Sequence, residues 1–97
     1  MNLVSTQPWD AAEHLETKKD IVAYLEAALE DGDVALISAA LGDIARSKGM
    51  TQVARATGLS RESLYKALSP SGNPEFATVL KVANAVGIKL TAVPIEE

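Results

Sequence analysis

Apolar and polar positions recur with helical period through most of this chain. Ile21, Tyr24, Leu25, Ala28 and Leu29 follow i, i+3, i+4 spacing, which puts them on one face of a helix. Thr17 can cap its start, and the helix is expected to run to about Asp31, where Gly32 ends it. Asp33 then starts a second helix, with Val34, Ile37, Leu41 and Ile44 on its inner side, until Gly49. Gly42 lies inside that helix, where glycine costs on the order of 1 kcal/mol relative to alanine. Close packing against another helix is the expected compensation. Upstream, Asp10 with Glu13 resembles a small capping box and predicts a short helix over 11–16. Residues 1–9 show no period and are expected to form a loose arm. Trp9 and Leu15 are candidates either to anchor that arm to the core or to insert into a partner.

The run TQVARATGLSRESLYKALSPSGNP, Thr51 to Pro74, has a different pattern. It reads as two short helices, Gln52 to Thr57 and Arg61 to Leu68, joined by the turn Gly58-Leu59-Ser60. Gly58 suits a helix end that needs a positive φ, and the Ser60 hydroxyl can accept a free backbone N–H of the next helix. Two such helices make a helix-turn-helix, whose second helix commonly enters a DNA major groove. Arg61, Glu62, Ser63, Tyr65 and Lys66 are polar or amphipathic, while Leu64, Ala67 and Leu68 can face a core.

Asn73 is expected to cap a fifth helix with Pro74 in its first turn, where the missing N–H does no harm. Phe76, Val79, Leu80, Ala83 and Val86 form its expected apolar stripe, and Gly87 stops it. The segment Ile88-Lys89-Leu90-Thr91-Ala92-Val93 alternates as one strand that Pro94 would end. A lone strand has nothing to pair with inside a helical domain, so its backbone would seek another chain. The other reading is a surface tail with a solvated backbone. The expected architecture is all-α: an N-terminal arm over 1–16, then a single helix-turn-helix domain over 17–97 with the motif at 51–68 and a short C-terminal strand.

Composition narrows the function. The chain has 97 residues, which suits one domain, and no cysteine, so it has no disulfide framework and no thiolate metal site. No apolar run approaches the roughly 20 residues that span a bilayer. The opening MNLVSTQPWD lacks the pattern of a signal peptide, and a cytoplasmic location is expected. The net charge of −4 divides unevenly along the chain. Residues 1–43 carry nine acids and two bases, giving −7; residues 44–97 carry seven bases and four acids, giving +3. Between Arg46 and Pro74 there are five bases (Arg46, Lys48, Arg55, Arg61, Lys66) and the single acid Glu62. Positive charge is therefore concentrated around the motif, and local field outweighs net charge when exposed charges are screened over about 10 Å. No nucleophile–base set, phosphate loop or metal cluster is visible, so neither an enzyme nor a cofactor is expected. His14 is the only histidine and reads as an exposed structural residue.

Thr51-Gln52-Val53-Ala54, Gly58-Leu59-Ser60 and Asn73-Pro74 resemble the lambda-repressor-like, or XRE, DNA-binding domains. Together with TKKDIVAYLEAALEDGD, ALGDIARSKGM, LSRESLYKALS and NPEFATVLKVANAVGIKL, they resemble the addiction-module antidote family: small Hig-type antitoxins of type II toxin–antitoxin systems. The resemblance covers roughly residues 9–90. It implies a lambda-repressor-like five-helix fold, binding as a homodimer to double-stranded operator DNA of the protein's own operon, and neutralisation of a cognate RelE/ParE-like toxin. The implied DNA contacts are Thr51 and Gln52 opening the first helix of the motif, with Gln52 on phosphate. Ser60, Arg61, Glu62, Ser63 and Lys66 open the second helix and meet bases, and Ser71 and Asn73 lie near the backbone. The loop Ser69-Pro70-Ser71-Gly72 departs from the family, because many relatives carry a basic residue there.

Several side chains keep two readings. Tyr65 can set its hydroxyl on the phosphate backbone or pack its ring beneath the fifth helix. Glu62 can accept from cytosine or pair with Lys66 at i+4. Asp43 and Arg46 suggest a local ion pair shared with Arg55. Glu26, Glu30, Asp31 and Asp33 suggest a solvated face that could also attract a basic toxin. Two further functions compete with the antitoxin: a stand-alone, phage-type repressor, and a protein-binding module that kept the fold and lost DNA binding.

Overall fold

The computed structural model describes residues 10–96. The loose arm expected over 1–9 and the anchoring role of Trp9 lie outside the described residues. Five α-helices follow a short 3₁₀ turn over Ala11–His14: α1 (Lys18–Asp31), α2 (Val34–Lys48), α3 (Met50–Thr57), α4 (Arg61–Ala67) and α5 (Phe76–Ala85). The described residues are all-helical in their regular structure.

Local chemistry sets most of the boundaries. The Asp10 carboxylate accepts the Ala12 N–H at 3.1 Å and opens the 3₁₀ turn, which is shorter than the helix expected over 11–16. At the start of α1, Thr17 Oγ accepts the Asp20 N–H at 3.1 Å while Asp20 accepts the Thr17 N–H at 3.1 Å, a reciprocal capping box. Asp33 caps α2 through the Ala35 N–H at 2.9 Å. α1 and α2 are therefore joined by Gly32 and Asp33 alone.

α2 is the hub: α1, α3, α4, α5 and the 3₁₀ turn all pack on it. Leu41 and Ile44 of α2, Val53 of α3, Leu64 of α4 and Val82 of α5 are the largest fully buried side chains. Each contributes roughly 1.5–3 kcal/mol by leaving water. Ile21 and Leu25 of α1 complete the cluster, and Leu15, Ile37, Val79, Ile88 and Leu90 pack on its edges. Gly42 is placed as its sequence context suggests. A Cβ there would overlap the carbonyl oxygen of Leu68 and lie 3.3 Å from its carbonyl carbon, so the close neighbour is the end of α4.

The expected apolar faces need correction at their margins. Val34 and Phe76 are exposed by 61% and 71%. Each is the first residue of its helix, and side chains of the first turn lean back beyond the helix end, away from the core. Leu29 and Leu80 are exposed as well, whereas Val82, absent from the expected stripe of α5, is fully buried. Asn73 does not cap α5. The cap is Glu75, with extended φ −62° and ψ 151° and no side-chain hydrogen bond, so Pro74 precedes the helix. An extended residue followed by proline is compatible with either start, and packing of α5 against α2 and α3 places the start after Glu75.

No strand forms over 88–93 within the chain. The Ile88 N–H donates to Ala83 O at 3.0 Å, and no later backbone donor has a partner among the described residues. Among the described residues no second strand lies beside the segment, and it has no regular secondary structure.

Candidate nucleic-acid interface

α3 and α4 are held together by their connection. α3 ends at Gly58, whose φ of 77° is left-handed. The buried Thr57 hydroxyl donates to Ala54 O at 3.3 Å and accepts the Leu59 N–H at 3.3 Å, so it pins the turn from inside. Ser60 Oγ accepts the Ser63 N–H at 3.0 Å and donates to Ser63 Oγ at 2.9 Å, which starts α4. Leu64 and Leu68 enter the core. Arg61, Glu62, Ser63, Tyr65 and Lys66 remain exposed on the opposite side. Tyr65 is 47% exposed, with the Arg61 guanidinium 6.0 Å from its ring centroid. Its ring is stacked against an outward-facing cation rather than buried beneath α5.

An open notch of about 330 Å³ lies beside α4, lined by Arg46, Lys48, Gly49, Met50, Thr51, Gln52, Arg61 and Tyr65. It joins four of the residues singled out from sequence: Thr51, Gln52, Arg61 and Tyr65. It adds two cations from the last turn of α2, Arg46 and Lys48, together with Gly49 and Met50. Gly49 starts α3 without a side-chain cap. The first N–H groups of an α-helix have no partner within it, and this end carries partial positive charge. Three cationic side chains, Arg46, Lys48 and Arg61, thus line the notch beside this uncapped helix start. Arg46 and Lys48 were legible as part of the local positive charge. Their place in the notch depended on the tight bend at Gly49, which turns the end of α2 toward α4.

The other expected contacts are not in the notch. Ser60, Glu62, Ser63 and Lys66 lie exposed on α4. Ser71 and Asn73 lie exposed in the following loop, where Ser69 Oγ donates to Lys66 O at 3.0 Å and sits 3.3 Å from Ser71 Oγ. Glu62 forms no ion pair with Lys66 among the described residues.

Arg46 also belongs to a second network. Its Nη2 donates to Asp43 Oδ1 at 2.6 Å and its Nη1 to Asp10 Oδ2 at 3.1 Å, while the Tyr24 hydroxyl donates to Asp43 Oδ2 at 2.6 Å. The ion pair is therefore shared with Asp10 and not, as expected, with Arg55. Arg55 sits in the last turn of α3 and the network lies on the side of α2 facing α1. The Arg46 hydrogen bond, aided by the Ala12 N–H, holds the Asp10 carboxyl below its usual 3.8. Burial and then the Asp43 hydrogen bond push the Tyr24 hydroxyl up to about 12.

No group of His, Cys, Asp and Glu among the described residues could hold a metal ion. No helix among them is long and apolar enough to cross a membrane. No solved structure matches the chain. A protein of Haemophilus influenzae described as uncharacterized is 52% identical over 81 residues, covering 84% of this chain and 84% of that protein. The family described as "Probable addiction module antidote protein" matches residues 5–94. With its helical body and a match over nearly its whole length, the chain belongs to the addiction-module antidote family.

Proposed function

We propose that this chain is the antitoxin of a type II toxin–antitoxin module. It binds operator DNA as a homodimer, represses its own operon and neutralises a RelE/ParE-like toxin in the cytoplasm. α3, the turn and α4 act as a lambda-repressor-like helix-turn-helix of the XRE, Hig-type class. The observation that carries this reading is the exposed polar side of α4 beside the cationic notch.

A phosphate seats in the notch against the start of α3, contacted by Gln52 and Thr51 and approached by Arg46, Lys48 and Arg61. The major groove admits an α-helix, and α4 presents Ser60, Arg61, Glu62, Ser63 and Lys66 to base edges. Arginine can pair both acceptors of a guanine, which discriminates by about 1–3 kcal/mol. Tyr65 supports Arg61 from below and reaches the phosphate backbone with its hydroxyl. Ser71 and Asn73 lie along the backbone without cations, so they position the duplex and add little salt-dependent attraction.

Membership of an antidote family favours this reading over a stand-alone repressor. The protein-binding module is the second reading; the uncharged 69–72 loop and the hold of Asp10 and Asp43 on Arg46 favour it. A mobility-shift titration with duplex from the upstream region of its own operon separates them. The parent retards the duplex at low salt and less at high salt, and Arg61→Ala with Lys66→Ala weakens binding by about ten-fold or more. Unchanged mobility with folded parent, or equal binding by the double variant, overturns the DNA reading.

A further inference from the structure

A groove of about 460 Å³ runs between α1 and the C-terminal segment. Leu25 is its buried floor, and Val22, Leu29 and Val93 line it while exposed by 41%, 48% and 80%. Glu26 and Glu30 of α1 stand on the same wall, against the single base Lys89. Asp31 and Asp33, which follow in the sequence, are exposed but do not line the groove. From Lys89 to Val93 the backbone N–H groups donate to no partner among the described residues. Apolar surface, a net acidic rim and a non-helical backbone whose N–H groups have no partner among the described residues thus coincide. No residue of α3, α4 or the notch lines this groove.

We propose that the groove docks a cationic segment of the partner toxin. An apolar side chain of that segment seats among Val22, Leu29 and Val93. Its Lys or Arg residues lie at Glu26 and Glu30, and its backbone runs along residues 89–93 as an added strand. Charge selects this occupant over a second copy. A two-fold contact sets the same patch on both sides, so Glu26 and Glu30 would face their own counterparts and repel. Because the groove and the α4 face are separate, toxin and DNA can be held together. The assignment rests on the antitoxin reading.

Calorimetric titration of the full chain with the purified product of the adjoining gene tests it. The parent binds; Glu26→Lys with Glu30→Lys weakens binding by about ten-fold or more, and Leu29→Ala with Val93→Ala also weakens it. Glu13→Lys with Glu16→Lys makes the same change in net charge at residues that do not line the groove and stays within about two-fold, because screening by salt weakens charges that do not touch the docked segment. All the substituted side chains are exposed, and an unchanged helical circular dichroism spectrum confirms folding. Parent-like affinity in both groove variants overturns the groove while the antitoxin reading stands. Equal weakening in the charge control also overturns it, since net charge alone would then explain the effect. Loss of dimer in sedimentation by the groove variants, with toxin affinity intact, gives the groove to a second copy and overturns it too. If the folded parent fails to bind, the antitoxin reading itself fails for that product, and the groove assignment falls with it.

Discussion

Gly42 shows how one residue can reverse a general rule. In an exposed helix interior, replacing glycine by alanine stabilises by about 1 kcal/mol. At Gly42 the added methyl meets the backbone carbonyl of Leu68, which cannot swing aside as a side chain can. Gly42→Ala is therefore expected to lower stability by about 1–3 kcal/mol in urea denaturation, the range for overpacking. A rise in the unfolding midpoint would refute the close approach. Tyr24 has a pH signature. Its pKa in the fold is raised from 10.0 to about 12, so folding favours the neutral hydroxyl. The stabilisation is complete below pH 10 and is lost as pH climbs toward about 12. Tyr24→Phe removes that titration and should flatten the fall in melting temperature between pH 10 and 12. Parallel alkaline slopes in parent and variant would rule it out.

Among the elements, α1 and α4 depend on different forces. α1 has 14 residues, a complete capping box and a face on α2, so its boundaries are written in local chemistry. Thr17→Ala removes the acceptor for the Asp20 N–H and is expected to cost about 0.5–2 kcal/mol, read from chemical denaturation. A loss under a few tenths would mean that the cap frays in solution. α4 has only seven residues, too few to be stable in isolation. It persists because Leu64 and Leu68 are buried and because its end rests against Gly42. α5 shows where local signals mislead. Asn73-Pro74 looks like a cap and first turn, yet the helix starts after Glu75. Both choices satisfy the same local rules, and packing against α2 and α3 selects between them.

Over the whole molecule, charge is divided by position. The half up to Asp43 carries −7 and the remainder +3. The cationic notch and the acidic groove have no lining residue in common. An acidic first half opposes loose attachment to DNA, so the proposed repressor gains useful affinity by engaging two recognition helices at once. Half-sites for such a dimer lie about one helical turn, 10–10.5 base pairs, apart. Inserting about five base pairs between them turns one half-site to the opposite side of the duplex. Operator affinity in mobility shifts should then drop by about ten-fold or more, whereas a monomeric reader would bind the altered duplex equally well.

Sequence alone determined where the helices begin and end, apart from the start of α3, which lies at Met50 and not Gln52, the start of α5, the extent of the first short turn and the tail without a strand. Caps, glycines and the i, i+3, i+4 period act over four residues or fewer, so they are legible from neighbours. It also displayed the exposed residues of α4, because Leu64 and Leu68 mark the opposite face. Tertiary structure alone decided which apolar margins are covered, since Leu29 and Leu80 share the period of the core but remain exposed. It also chose Asp10 as the partner of Arg46 across 36 positions of chain, brought Arg46 and Lys48 beside Arg61, and left the acidic groove open. Those contacts join distant segments. No spacing rule along a chain encodes them; only the way α1, α3, α4 and α5 pack around α2 does.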